Sequence, residues 1–108
     1  MENGLYKVEF QTQLGSGAGV VFLQNGKIRG GDSAMFYVGS VSEQGDDLTA
    51  EVEGNLHTNM PGTRSVFGFD KTHIKLKGKG AGRSATFTGT SKEAPNVSFQ
   101  AKLTKLSD

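Results

Sequence analysis

The chain has 108 residues, no cysteine, and a formal net charge of +1 from 12 basic and 11 acidic side chains. That balance supplies no global field to draw nucleic acid or an anionic membrane, and the missing thiols exclude disulfides, thiolate nucleophiles and zinc–cysteine sites. With 16 glycines, 2 prolines and no repeat period, the composition suits one all-β domain over residues 1–108, built with many tight turns.

Met1-Glu2-Asn3-Gly4 leads directly into an alternating run, without the basic and apolar segments of a secretory leader. No window approaches the ~18 apolar residues of a membrane-spanning helix. A cytoplasmic protein that does not engage the membrane is expected. Leu5 to Gln11 forms the first strand, with Tyr6, Val8 and Phe10 on one face and Lys7, Glu9 and Gln11 on the other. Gly15-Ser16-Gly17-Ala18-Gly19 is rich in glycine like a phosphate-binding loop, but no helix follows to hold an anion, so a hairpin connection is expected.

The second and third strands flank Asn25-Gly26, the residue pair best suited to the two positive φ values of a type I′ turn. That turn sets Gln24 opposite Lys27, Leu23 opposite Ile28, Phe22 opposite Arg29 and Val21 opposite Gly30. Val21, Leu23, Ile28 and Gly30 then face inward. Gln24, Lys27 and Arg29 mark the outside, where Val20 and Phe22 also project, and apolar groups clustered on an outer face suggest a partner. After Gly30-Gly31, Asp32 or Ser33 is placed to cap a single helical turn over Ala34 and Met35 at a sharp corner.

Met35 to Glu43 reads as a fourth strand, with Tyr37, Gly39 and Val41 inward and Phe36 and Val38 outward. The acidic loop Glu43-Gln44-Gly45-Asp46-Asp47 leads to a fifth strand over 48–58, with Leu48, Ala50, Val52, Gly54 and Leu56 on one face. Pro61-Gly62 reads as a type II turn before Val66-Phe67-Gly68-Phe69, a segment whose facing the pattern does not assign. A sixth strand, Thr72 to Gly78, turns inward Ile74 and Leu76. The basic stretch Gly78 to Arg83 lacks the Lys-Ser/Thr pair of a P-loop and reads as a turn. The seventh strand turns Ala85, Phe87 and Gly89 inward, and the eighth, Asn96 to Lys105, does so with Val97, Phe99, Ala101 and Leu103.

Eight sequential strands with one apolar face each are best satisfied by an antiparallel up-and-down barrel, because closure removes the free edges. Val8, Phe10, Leu23, Ile28, Val52, Ile74, Phe87, Phe99 and Leu103 are expected to be buried. Inward glycines at 30, 39, 54 and 89 leave room in the lumen, and Tyr6, Phe10, Tyr37, Phe87 and Phe99 fill part of it.

Chemistry is sparse. His57 and His73 are the only histidines and no metal-ligand spacing surrounds them. Glu51 and Glu53 share a face with Thr49 and Asn55, as a solvated outer face would, and no serine sits in a nucleophile elbow. No cofactor and no catalytic set is expected. Two classes of function lead, a regulator that binds a protein and a carrier or sensor of a small apolar ligand in the lumen, and a barrel enzyme ranks last for want of a residue set.

Gly4-Leu5-Tyr6, then Gly17-x-Gly-Val20-x-x-x-x-Asn25-Gly26-x-Ile28-x-Gly30-Gly31-Asp32-Ser33-x-x-x-Tyr37-x-Gly39, then Ser65-Val66-Phe67-Gly68, together resemble the GrlR-type negative regulators of type III secretion. The resemblance spans most of the chain. It implies a small lipocalin-like barrel, commonly a homodimer, that represses secretion genes by binding a DNA-binding transcriptional activator and not DNA itself. In that family an acidic surface loop is implicated in regulation. The matching stretch here is Ser42 to Asp47, which offers Glu43, Asp46 and Asp47 for partner binding, with Gln44 and Gly45 interrupting the acidic run. The outer residues Val20, Phe22, Arg29, Phe36 and Val38 are the expected dimer or partner patch.

Overall fold

Asn25 and Gly26 both take positive φ, 52° and 79°, in a computed structural model of the chain, which describes residues 1–59 and 71–108 and only the backbone of Ala81. This is the type I′ geometry whose twist matches that of the paired strands. The register follows as expected, with Leu23 opposite Ile28, Phe22 opposite Arg29 and Val21 opposite Gly30.

Eight strands build the fold: β1 (Gly4–Thr12), β2 (Gly15–Gln24), β3 (Lys27–Gly31), β4 (Met35–Gln44), β5 (Asp47–Leu56), β6 (Lys71–Ala81), β7 (Ser84–Ser91) and β8 (Ser98–Ser107). Each pairs antiparallel with the next, and β8 returns to β1, so the sheet is a closed eight-stranded barrel of lipocalin-like topology. A bulge in the β1–β8 seam lies at Leu5/Tyr6. Among the described residues no helix is long and apolar enough to cross a membrane. The Pro61-Gly62 turn and the Ser65 to Phe69 segment lie outside the described residues.

Strand alternation sends one set of side chains inside. Leu23, Ile28, Ile74, Phe87, Phe99 and Leu103 are buried as expected, together with Val21, Leu48, Ala50, Leu76, Ala85 and Ala101. Val8, Phe10 and Val52 point inward but are only half-buried, because they border an open part of the lumen.

Three expected loops are shorter than the sequence suggests. The glycine-rich run from Gly15 to Gly19 belongs to β2, and the turn before it is Gln13-Leu14, where Thr12 Oγ1 accepts from the Leu14 N–H at 3.0 Å. Gly17 sits opposite Phe10, and a Cβ there would lie 2.7 Å from the Phe10 ring, so the missing side chain is what lets the ring cross β2. Likewise β6 continues to Ala81 and leaves a two-residue turn, Gly82-Arg83, while β4 and β5 run to either side of Gly45-Asp46. The helical turn expected over Ala34 and Met35 does not form. Met35 already opens β4, and the Asp32 N–H donates to the Met35 carbonyl at 2.9 Å, closing a hairpin corner.

Candidate functional site

The two ends of the barrel differ. At one end the β2–β3, β4–β5 and β6–β7 turns meet the N-terminal residues. There the Asn25 N–H donates to Asn3 Oδ1 at 3.0 Å, the Glu2 N–H to the Gly82 carbonyl at 3.3 Å, and the Tyr6 hydroxyl to the Glu2 carbonyl at 2.6 Å. The Lys105 ammonium lies 2.8 Å from Glu2 Oε1 and 2.7 Å from Asp108 Oδ1, with its side chain only 4% exposed. These carboxylates, Asp108 first, hold the ammonium above its usual range. Tyr6 therefore forms the floor of the barrel and is not part of the open lumen. Burial raises its phenol.

Toward the other end the lumen opens into a cavity of about 330 Å³. Phe10, Tyr37, Phe87 and Phe99 line it, with Val8, Val21, Ile28, Val41, Val52, Ile74, Leu76 and Leu103. Phe10 stacks on Phe99 with centroids 6.0 Å apart and meets Tyr37 edge to face at 6.1 Å. Exposed Ser16, Gly17 and Ala18 form part of the rim, and Asp32, Ser33, Met35 and Thr72 complete it.

Asp32 holds the corner over this cavity. Its Oδ1 accepts from the Ala34 N–H at 2.9 Å and the Met35 N–H at 2.8 Å, while its Oδ2 accepts from the Tyr37 hydroxyl. Burial first, and then the bond to Asp32, keep the Tyr37 phenol protonated far above its ordinary range. His57, the residue after β5, braces the corner: its Nε2 donates to the Asp32 carbonyl at 2.9 Å and its backbone N–H donates to the Ala34 carbonyl at 2.8 Å. Sequence reasoning found Asp32 as a cap but not as a lumen residue. The Gly31 to Tyr37 spacing, which folds the corner back across Tyr37, was the available signal.

The expected outer patch is brought together by register. Phe22, Arg29 and Val38 lie side by side across β2, β3 and β4, and Val20, Gly31 and Phe36 form the adjacent row. Val20, Phe22 and Phe36 are 45%, 40% and 42% exposed, Arg29 is exposed and Val38 half-buried. The first row also takes in Leu5, which pairs with Phe22, and Leu106 stands exposed at the bulge beside it. Neither leucine was singled out in the sequence, because only closure of the β1–β8 seam sets them beside β2.

The acidic residues do not share one face. Glu43 pairs with Leu48, so it turns toward the floor, where its carboxylate meets the Met1 ammonium. Asp47 faces Lys79 across the sheet at 3.8 Å. Asp46 alone projects from the turn without an ion pair among the described residues. Glu51 faces Lys75 at 3.8 Å, and Glu53 faces His73 and meets Lys71 diagonally at 3.3 Å, a solvated cross-strand ladder.

Near the rim, Glu93 gathers three donors. His73 N–H lies at 2.7 Å, His73 Nδ1 at 2.8 Å and Ser91 Oγ at 2.8 Å, and these bonds, led by the His73 ring, lower its carboxyl to about 2. Among the described residues no group of three or more His, Cys, Asp or Glu side chains is placed to hold a metal ion. No family model matches the chain, and no curated protein matches it in sequence.

Proposed function

We propose that this chain is a non-enzymatic, cytoplasmic regulatory protein that engages protein surfaces through the outer face of β2, β3 and β4. The observation that carries this reading is the set of exposed apolar side chains Val20 and Phe22 on β2 and Phe36 on β4, on the outer face to either side of β3. The first occupant of that face is a second copy of the chain. The resemblance to GrlR-type negative regulators supplies the wider role: capture of a DNA-binding transcriptional activator of type III secretion genes. Asp46, which has no ion pair among the described residues, contributes to steering such a basic partner more than Glu43 or Asp47, whose charges are already met within the fold.

The test is co-purification of the chain with each transcriptional activator of the secretion genes in its source cell, expressed in pure form. A stable complex with one of them, weakened in a Phe36→Glu variant that keeps its β-sheet circular dichroism, is the expected result. Absence of a complex with any of them ends the regulatory reading.

A second reading is favoured by the cavity: the lumen holds a small apolar ligand. Its volume of about 330 Å³ falls within the roughly 300–1,000 Å³ of ordinary small-molecule pockets, and its lining is mostly aliphatic and aromatic. Calorimetric titration with octan-1-ol tests it, with saturation at one molecule per chain expected and no binding heat overturning it.

A further inference from the structure

We infer that the lumen selects a neutral apolar molecule carrying a hydrogen-bond donor at one end, and rejects the corresponding carboxylate. This rests on the reading of the lumen as a ligand site. Size comes first. A cavity of about 330 Å³ holds about eleven non-hydrogen atoms at the ~30 Å³ that a water molecule occupies in the liquid. A short aliphatic chain or a fused pair of rings fits within it.

Orientation follows from the two ends. The floor is closed by Tyr6 and by Lys105, whose ammonium is already held by Glu2 and Asp108. An apolar tail therefore enters first, and the polar head remains at the rim beside Asp32, Ser33 and Thr72. Among the described residues that line the cavity there is no Lys, Arg or His, and Asp32 is the one charged group. A site built for fatty-acid anions places a cation at the head. This one places a carboxylate there.

The hydrogen-bonding capacity of Asp32 sets the head-group chemistry. An ionised carboxylate offers about four acceptor positions. Two are taken on Oδ1 by the Ala34 and Met35 N–H groups and one on Oδ2 by Tyr37. The position left on Oδ2 accepts a hydroxyl or N–H of a ligand, and repels a second carboxylate. Tyr37 adds no donor toward the ligand, since its proton is committed to Asp32 and its phenol does not ionise in the ordinary range.

The experiment compares octan-1-ol with octanoate at neutral pH by isothermal titration calorimetry, on the whole chain and on Asp32→Asn. The asparagine oxygen still accepts from the Ala34 and Met35 N–H groups, so the corner is kept while the charge is removed. Octan-1-ol is expected to bind the unaltered chain at least tenfold more tightly than octanoate, and the gap is expected to shrink at least threefold in Asp32→Asn. Equal or tighter binding of octanoate to the unaltered chain overturns the inference and leaves the lumen reading standing. A gap that persists in a folded Asp32→Asn variant also overturns it. Failure of both ligands to bind removes the lumen reading and the inference together. Should Asp32→Asn not fold, the comparison on the unaltered chain decides the matter, and Tyr37→Phe, which frees a further acceptor position on Asp32, is expected to keep or widen the gap.

Discussion

Lys105 Nζ lies 2.8 Å from Glu2 Oε1, an ion pair that joins the two extremes of the chain across the floor of the barrel. The Lys105 side chain is almost entirely covered, whereas Glu2 keeps about half and Asp108 nearly all of its side-chain surface in water. The two sides of the pair are therefore unequal. Removing both carboxylates, as Glu2→Gln with Asp108→Asn, leaves a covered ammonium without a counter-charge and is expected to lower the melting temperature clearly. Lys105→Met leaves only solvated carboxylates and is expected to lower it less. Because the folded ammonium is held above its usual range, this contribution is complete below 10.5 and is lost as pH rises through the raised value. Thermal melts of the three proteins between neutral and strongly alkaline pH check both statements.

Glu93 gives the opposite pH dependence. Its carboxyl is lowered to about 2 from the ordinary 4.5, so its contribution is complete above 4.5 and disappears as pH falls through about 2. Glu93→Gln is expected to flatten the acid limb of the stability profile between those values and to lower stability by a pH-independent amount above them. Urea unfolding across that range is the measurement. An unaltered slope would show that His73 and Ser91 do not hold the carboxylate in solution.

Core truncations should separate the closed and open parts of the interior. Leu23 is buried near the floor and away from the cavity lining, so Leu23→Ala is expected to cost about 3 kcal/mol, as a new void in packed surroundings does. Val52 already borders empty space, and Val52→Ala is expected to cost clearly less because few contacts are lost. Equilibrium unfolding in urea gives both values.

Phe22→Glu places a charge in the centre of the outer row without touching the interior. Light scattering is expected to show the unaltered chain as a dimer and the variant as a monomer, with folding stability changed by no more than about 0.5 kcal/mol. A monomeric unaltered chain, or a variant that stays dimeric, would assign that face to a different partner.

The alternation of apolar residues made the strands, their facing and the Asn25-Gly26 register legible, since a period of two leaves only one choice once a face is apolar. Glycine misled at 15–19 and at 78–83. Both runs read as loops, yet a Cβ at Gly17 would meet the Phe10 ring and one at Gly78 would lie 2.0 Å from the Thr86 carbonyl oxygen, so these glycines serve close packing within strands. The outer patch was visible as residues but not in extent. The floor was not visible at all: Lys105 falls on the inward parity of its strand, and nothing local indicates that Glu2 and Asp108 will meet it. Asp32 showed its capping role because that is a matter of neighbours, while its place over the cavity depends on how Tyr37 and His57 return to it.

The β1–β8 seam also governs how the chain reaches its native state. Glu2 and Lys105 are 103 positions apart, so their contact closes nearly the whole polymer into a ring and repays the lost chain entropy only after the intervening hairpins have formed. Meander formation can proceed from local turns such as Asn25-Gly26, but ring closure comes last. If the seam zips after the rate-limiting barrier, weakening it is expected to accelerate unfolding while leaving the folding rate unchanged, which a denaturant chevron of a seam variant checks. On that order of events the lifetime of the folded barrel is expected to depend on the joint between its first and last strands.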